Sequence, residues 1–347
     1  MYEPKYQISD RLLLDLIKLE QNKFHLDHNE ISTQTRKMLD LKSKSVNMFH
    51  MAHLLGVELT IKDAEKAVEG KKVTTNDSRG TILNNFRNCM DFVRSNVTDS
   101  YIDIDINLVL HFNKIVLTDW KEVWEAKFRG SNEAPNANLD NWLGLRNQSL
   151  HGMAIEERLN DLFTWYKSNT SKVHPLIRVA ILIYELIRTA PFAHCNQLTI
   201  IALADYLLQK NGYIHKTFLP IVREFDLHEA ENIEIWKIVN EHKGDLTVWI
   251  ERFIQNLGAG MNEDRDKILQ VTKSEKTTKQ PFLDLNRRQL KILRYLQTIP
   301  TVKREDYVQM MEVSTMTAFR DLNDLVEKKL IRIEGKGRGT KYVLVNR

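Results

Sequence analysis

At 347 residues, 42% of them apolar and 28% charged, the chain has the composition of an ordinary globular protein and length enough for two or three domains. Its longest apolar run, Val179 to Tyr184, falls far short of the roughly 18 residues of a membrane span, and the opening MYEPKYQISD has no leader pattern. The expectation is a cytoplasmic protein without a membrane partner. Cys89 and Cys195 stand far apart, which argues against a disulfide scaffold or a cysteine zinc site. The net charge of +4 is uneven: residues 281–347 hold 14 Lys/Arg against 8 Asp/Glu, and the rest is slightly acidic. Such a basic end suits a polyanion.

In chain order, Ser9 caps a helix over 9–22 with Leu12, Leu13, Leu16 and Leu19 on one face. Further helices are expected over 30–54, over 61–69 behind the cap Thr60, and over 79–95, so that residues 1–100 read as an all-helical region. Residues 101–260 form the core. There, Ile106 to Ile115 is helical, a Gly/Ser/Asn/Pro-rich loop spans 130–140, and Trp142 to Leu145 suits a short exposed strand. Glu156 to Asn169 turns Leu159, Leu162, Phe163 and Tyr166 inward, and residues 229–257 give two more helices.

The stretch from His174 to Gly212 reads as helix, sharp break, helix. Pro175 opens the first helix where its missing N–H costs little, and Leu176, Val179, Ala180, Ile183 and Ile187 recur at helical spacing. Ala190-Pro191-Phe192 breaks it, Asn196 is a candidate cap for the second helix, and Asn211-Gly212 stops that helix. Arg178 and Arg188 read as a solvated face.

This stretch resembles the signature of the Fic family, His-Pro-Phe-x-Asp/Glu-Gly-Asn-Gly-Arg-x-x-Arg. In the same frame the chain has Ala190-Pro191-Phe192-Ala193-His194-Cys195-Asn196-Gln197-Leu198-Thr199-Ile200-Ile201. Leu108 to His111, Lys127-Phe128-Arg129 and Gly244-Asp245-Leu246-Thr247-Val248-Trp249 are similar to further family elements. The resemblance implies a mainly α, Fic-type helical core with a small β-hairpin flap that clamps a protein or peptide. It also implies descent from enzymes that transfer AMP from ATP to a protein hydroxyl. The family's general base corresponds to Ala190, its magnesium-holding acid to His194, its phosphate-clamping arginines to Leu198 and Ile201, and only Asn196 among the polar positions is retained. The expectation is therefore no catalytic residue, no metal and no cofactor. The alternative is a transferase using ATP and Mg²⁺ at a non-standard site. Many family members also guard the site with a helix bearing an inhibitory glutamate. Met51 to Thr60 stands in the equivalent place, with Leu55 at the glutamate's position and Met51 at that of its Ser/Thr. A shifted register would put Glu58 there instead. Since the glutamate pairs with the arginine that is Ile201 here, Leu55 and Ile201 are expected to face each other. Exchanging both partners of a buried ion pair for apolar groups can be neutral, whereas losing one is costly.

Gly258-Ala259-Gly260 is expected to end the core, and the polar tract within 261–280 to be a linker. Beyond it, Asn286 caps a helix, Lys303 to Met311 gives a second, Glu312-Val313 turns, and Ser314 caps a third with Ala318, Leu322 and Leu325 inward. Leu330 to Ile333 and Tyr342 to Leu344 read as strands around a glycine-rich tip. Residues 281–347 are thus similar to the winged helix-turn-helix domains of bacterial regulators. That likeness implies DNA as partner, with Thr315, Met316, Thr317 and Arg320 toward the major groove and Lys336, Arg338 and Lys341 toward phosphates. A homodimer and a role in transcription regulation are compatible with it.

Overall fold

The computed structural model describes residues 2–28, 32–98, 102–130, 133–136, 139, 153–213, 221–283, 285–335 and 337–345. It divides into two compact units, Met1–Ile268 and Leu269–Arg347.

The first unit is helical: α1 (Asp10–Asp27), α2 (Thr33–Leu54), α3 (Ile61–Val68), α4 (Arg79–Asn96), α5 (Ile106–Leu117), α6 (Met153–Ser168), α7 (Pro175–Thr189), α8 (Asn196–Lys210), α9 (Ile221–Leu227), α10 (Glu229–Glu241) and most of α11 (Thr247–Leu283). The starts follow local chemistry. The side chains of Ser9 and Thr60 accept the backbone N–H groups of Leu12 and Asp63, and Asp105 caps α5 likewise. Helices α7 and α8 are apolar almost all round, so both are buried. They pack on each other, with α4, α5 and α9 against α8 and α6 against α7. The Asp245-Leu246-Thr247 element anchors this centre. Asp245 accepts from the Thr247 N–H and hydroxyl at 2.9 and 2.6 Å, and Trp249 donates its indole N–H to the Ala180 carbonyl at 2.8 Å.

Three expectations need correction here. Leu13 is 50% exposed, because Leu12, Leu16, Leu19 and Leu26 already complete the inward face and Leu13 lies a further 100° round the helix. Arg178 is buried. It donates to the Tyr166 carbonyl at 3.0 Å and the Thr170 hydroxyl at 3.2 Å, and its guanidinium lies over the Tyr166 ring. Gly258-Ala259-Gly260 does not end the core, since α11 runs through it to Leu283. Each glycine costs about 1 kcal/mol in a helix, which the burial of Leu257, Met261 and Ile268 along the same helix offsets. The boundary between the units falls within the tract 261–280.

The second unit continues with α12 (Arg287–Thr298), α13 (Arg304–Met311), α14 (Thr315–Glu327) and the strands β1 (Ile331–Glu334) and β2 (Lys341–Leu344). The strands pair antiparallel with Ile331 opposite Leu344, and Val302 bridges to Tyr342. Its core contains Ile292, Leu293, Leu296, Tyr307, Ala318, Leu322 and Leu325. Glu312 turns the chain between α13 and α14 with a left-handed φ of 53°. At the strand tip, Gly335 has φ +84°, and a Cβ there would stand 2.5 Å from the Gly339 carbonyl oxygen, so only glycine fits.

One buried carboxylate ties the three helices together. Asp321 on α14 accepts from Asn286 at 2.7 Å, from Arg288 at 2.8 and 3.3 Å, and from the Tyr307 hydroxyl at 2.9 Å. Burial raises its pKa, but these hydrogen bonds outweigh burial and hold it below the usual carboxylate range. A carboxylate with a lower pKa folded than unfolded stabilises the fold above the unfolded value of about 4. That stabilisation is lost as pH falls through the folded value. Asp321→Ala is expected to cost about 2–4 kcal/mol and to reduce the loss of stability in acid, as thermal melts across an acidic pH series will read.

Candidate functional site

The turn joining α7 to α8 is the stretch that resembles the family motif. Two of its residues are left-handed without being glycine: Ala190 (φ 41°) ends α7 and Cys195 (φ 60°) precedes α8. Cys195 thus keeps a backbone that glycine adopts without strain. The turn is closed by Asn196. Its amide oxygen accepts the Phe192 N–H at 2.8 Å, and its amide nitrogen donates to the Phe192 carbonyl at 2.7 Å. Asn196 is therefore not the cap expected of it: Cys195 occupies that position, and Asn196 is the first helical residue.

Two elements from elsewhere in the chain hold this turn. The Arg129 N–H donates to the Pro191 carbonyl at 2.9 Å, and Phe128 stacks on Phe192 with ring centroids 5.6 Å apart. The Arg129 guanidinium donates to the carbonyls of Ala190 (2.8 Å) and Thr189 (3.2 Å), placing a cation at the carbonyl end of α7. Burial lowers the Arg129 pKa, with Glu133 opposing. From α5, the fully buried Asn113 donates to the His194 carbonyl and the Thr199 hydroxyl, each at 3.1 Å. Neither Arg129 nor Asn113 was singled out as a site residue by sequence. Asn113, a lone amide on the buried face of an apolar helix, was the available signal.

Chemically the turn is poor. Ala190 is fully buried and has nothing to ionise. His194 lies edge-on to Trp120 with centroids 5.2 Å apart, and its Nδ1 is buried without a hydrogen-bond partner. Burial, aided by Lys121, lowers its pKa, which favours the neutral imidazole. Leu198 and Ile201 are fully buried, as are Cys195, Asn196, Thr199 and Ile200, and Gln197 is 1% exposed. A helix start that binds phosphate presents N–H groups and cations to solvent, whereas the residues that open this one are buried. Magnesium calls for oxygen ligands, whereas the acid position offers an imidazole and the arginine positions offer hydrocarbon. The donor set at this turn does not fit a magnesium nucleotide. Among the described residues, no group of three or more His, Cys, Asp or Glu could hold a metal ion.

Leu55 ends α2, 3% exposed, in the same continuous apolar core as Ile201 and Met51. Glu58 is exposed on an open cleft of about 510 Å³ that also involves Asp63 and Arg79. A second open cleft, of about 560 Å³, runs from Lys114 to Ala126. Neither is lined by a residue of the motif turn. The flap expected at Trp142 to Leu145 lies outside the described residues.

In the second unit, Thr315, Met316 and Arg320 are exposed on α14, and Thr317 is half-buried, its N–H accepted by the Ser314 hydroxyl. Lys341 is exposed at the start of β2. Lys336 lies outside the described residues, as does the side chain of Arg338, whose backbone belongs to the tight turn Gly337–Gly339. Two further residues border this face. Phe319 is 39% exposed, with the Arg304 guanidinium 5.0 Å from its ring centroid. Among the described residues, no helix of either unit is long and apolar enough to cross a membrane.

The clasp at the turn gives a direct test. Asn196→Ala leaves the buried N–H and carbonyl of Phe192 without their partner, at roughly 1–3 kcal/mol for each group. The expected result is a thermal transition lowered by several degrees, read by circular dichroism.

The model of the DeoR-like helix-turn-helix domain matches residues 288–338, from α12 to the glycine-rich tip. No curated protein matches the sequence. Among solved structures, the chain is similar to a Fic family protein from Desulfovibrio desulfuricans (15% identity, TM-score 0.66), over 100% of this chain and 99% of that one. It is similar to Fic-1 from C. elegans (18% identity, TM-score 0.55), over 74% of this chain and 71% of that one. A Fic domain containing signaling protein from Bacteroides thetaiotaomicron (16% identity, TM-score 0.53) matches over 75% of this chain and 98% of its own. The chain has the Fic fold, and a DeoR-like helix-turn-helix domain follows it.

Proposed function

We propose that this protein is a regulator of transcription in which a catalytically degenerate Fic core is joined to a DNA-binding winged helix. One observation carries the first half of this reading. The residues from Cys195 to Ile201, where the family binds and clamps phosphates, are buried and include no cation. Loss of a general base alone typically costs about 10²–10⁴ in rate, and here the metal ligand and both arginines are replaced as well. The core then serves as a recognition or docking body for a protein, peptide or small ligand.

The second half rests on the match to the helix-turn-helix model and on the basic balance of residues 281–347. The first turn of α14 carries no acidic residue, so nothing there repels a phosphate backbone. Lys336, Arg338 and Lys341 meet phosphates beside the groove in this reading.

Three measurements test it. Replacing Lys336 and Arg338 together by alanine should weaken duplex DNA binding. It should also flatten the dependence of log affinity on log salt by up to about 0.9 per lost phosphate contact. An unchanged slope removes the wing from the interface. For the core, isothermal titration with magnesium ATP should show no micromolar binding, and labelled ATP should transfer no label to lysate proteins. Transfer by the unmodified chain would restore the enzyme reading. Ala190→His alone is expected to remain inactive, because the phosphate-holding positions stay apolar.

A further inference from the structure

Helix α14 presents an apolar contact as well as a charged one. With Ala318, Leu322 and Leu325 turned into the core, Met316 and Arg320 lie four residues apart on the opposite side of the helix, both exposed. Met316 is 62% and Phe319 39% exposed, and neither is one of the buried residues of the unit's core. Large apolar side chains left outside a small core, beside cations, fit a partner that is charged overall but offers apolar groups at one place. The major groove of DNA is such a surface. Thymine alone among its bases carries a methyl group there, and guanine presents the paired acceptors that a guanidinium takes with two hydrogen bonds.

Resting on the DNA-binding reading above, we infer that Met316 reads the 5-methyl group of a thymine adjacent to a guanine read by Arg320. Charge complementarity favours this occupant, since residues 281–347 carry 14 Lys/Arg against 8 Asp/Glu. Phe319, with the Arg304 guanidinium of α13 over its ring, adds a further exposed apolar side chain to this helix. Double-stranded RNA is a poorer fit, because side chains cannot enter its deep, narrow major groove.

The test separates the methyl contact from DNA binding itself. A random duplex library is selected on the full chain, and an enriched duplex is resynthesised with deoxyuridine for thymidine at one position at a time, which removes only the methyl group. Enriched duplexes should carry thymine next to guanine. Deoxyuridine at that thymine should weaken binding by the unmodified protein about 3–10-fold. Met316→Ala should bind both forms equally and keep its salt-dependent affinity, and Met316→Leu should retain the discrimination. Arg320→Ala should lose the preference for guanine and keep the methyl effect. Equal binding of the thymine and deoxyuridine duplexes by the unmodified chain overturns the methyl contact and leaves DNA binding standing. If no duplex is enriched and no salt-dependent binding is measured, the DNA reading fails with it, and a protein partner becomes the occupant of this face.

Discussion

The helical unit depends on the two hydrogen bonds by which Asn196 holds Phe192. Helices α7 and α8 are apolar on nearly every side, so each must be surrounded, and the short turn between them fixes how they enter the core. That turn contains two left-handed non-glycine residues, a conformation costing of order 1–3 kcal/mol each. A specific clasp is needed to hold it, and Asn196 provides one side while Arg129 and Asn113 provide the other. The role of the Asn196 amide here is architectural. Around it the turn offers hydrocarbon at Ala190, Leu198 and Ile201, sulfur at Cys195 and imidazole at His194. The turn is thus held by an amide and two neighbours, independently of what its remaining side chains can do chemically.

The two units place their polar groups in opposite ways. In the first, the start of α8 is closed off, and buried polar groups such as Arg129, Arg178 and Asn113 serve neighbouring backbone and side-chain oxygens. In the second, Asp321 gathers the buried hydrogen bonds at the junction of three helices, which frees the outer side of α14 to carry exposed side chains. The carboxylate is a fixed point from which the outward face of α14 is oriented, so the buried and the exposed sides of one helix are carried by separate residues.

Much of this was legible because the signals were local. Ser9, Thr60, Asn286 and Ser314 cap the helices they were expected to cap. Pro175 begins α7 and Gly212 follows α8, and the apolar periodicity of α14 placed Ala318, Leu322 and Leu325 correctly. What was missed depends on partners distant in sequence. Arg178 looked solvent-facing until Tyr166 and Thr170 surrounded it, and Asn196 looked like a cap until Phe192 took both ends of its amide. The Asp321 network joins residues 14 to 35 positions apart, and no pattern in α14 alone announces it. The run of α11 through three small residues was hidden for a similar reason. Glycine argues for a break, and only the packed neighbours of Leu257 and Met261 argue against it.

The burial of Leu198 and Ile201 also limits what this turn can accept. An arginine placed at either position by a single substitution would put an unpaired guanidinium in a dry core, at a cost comparable to much of a domain's stability. A partner anion or a solvent channel would have to arrive in the same step. A cation at this turn therefore cannot be introduced one residue at a time. Charge at the start of α8 and a dry, packed core thus exclude each other, and only coordinated changes could exchange one for the other.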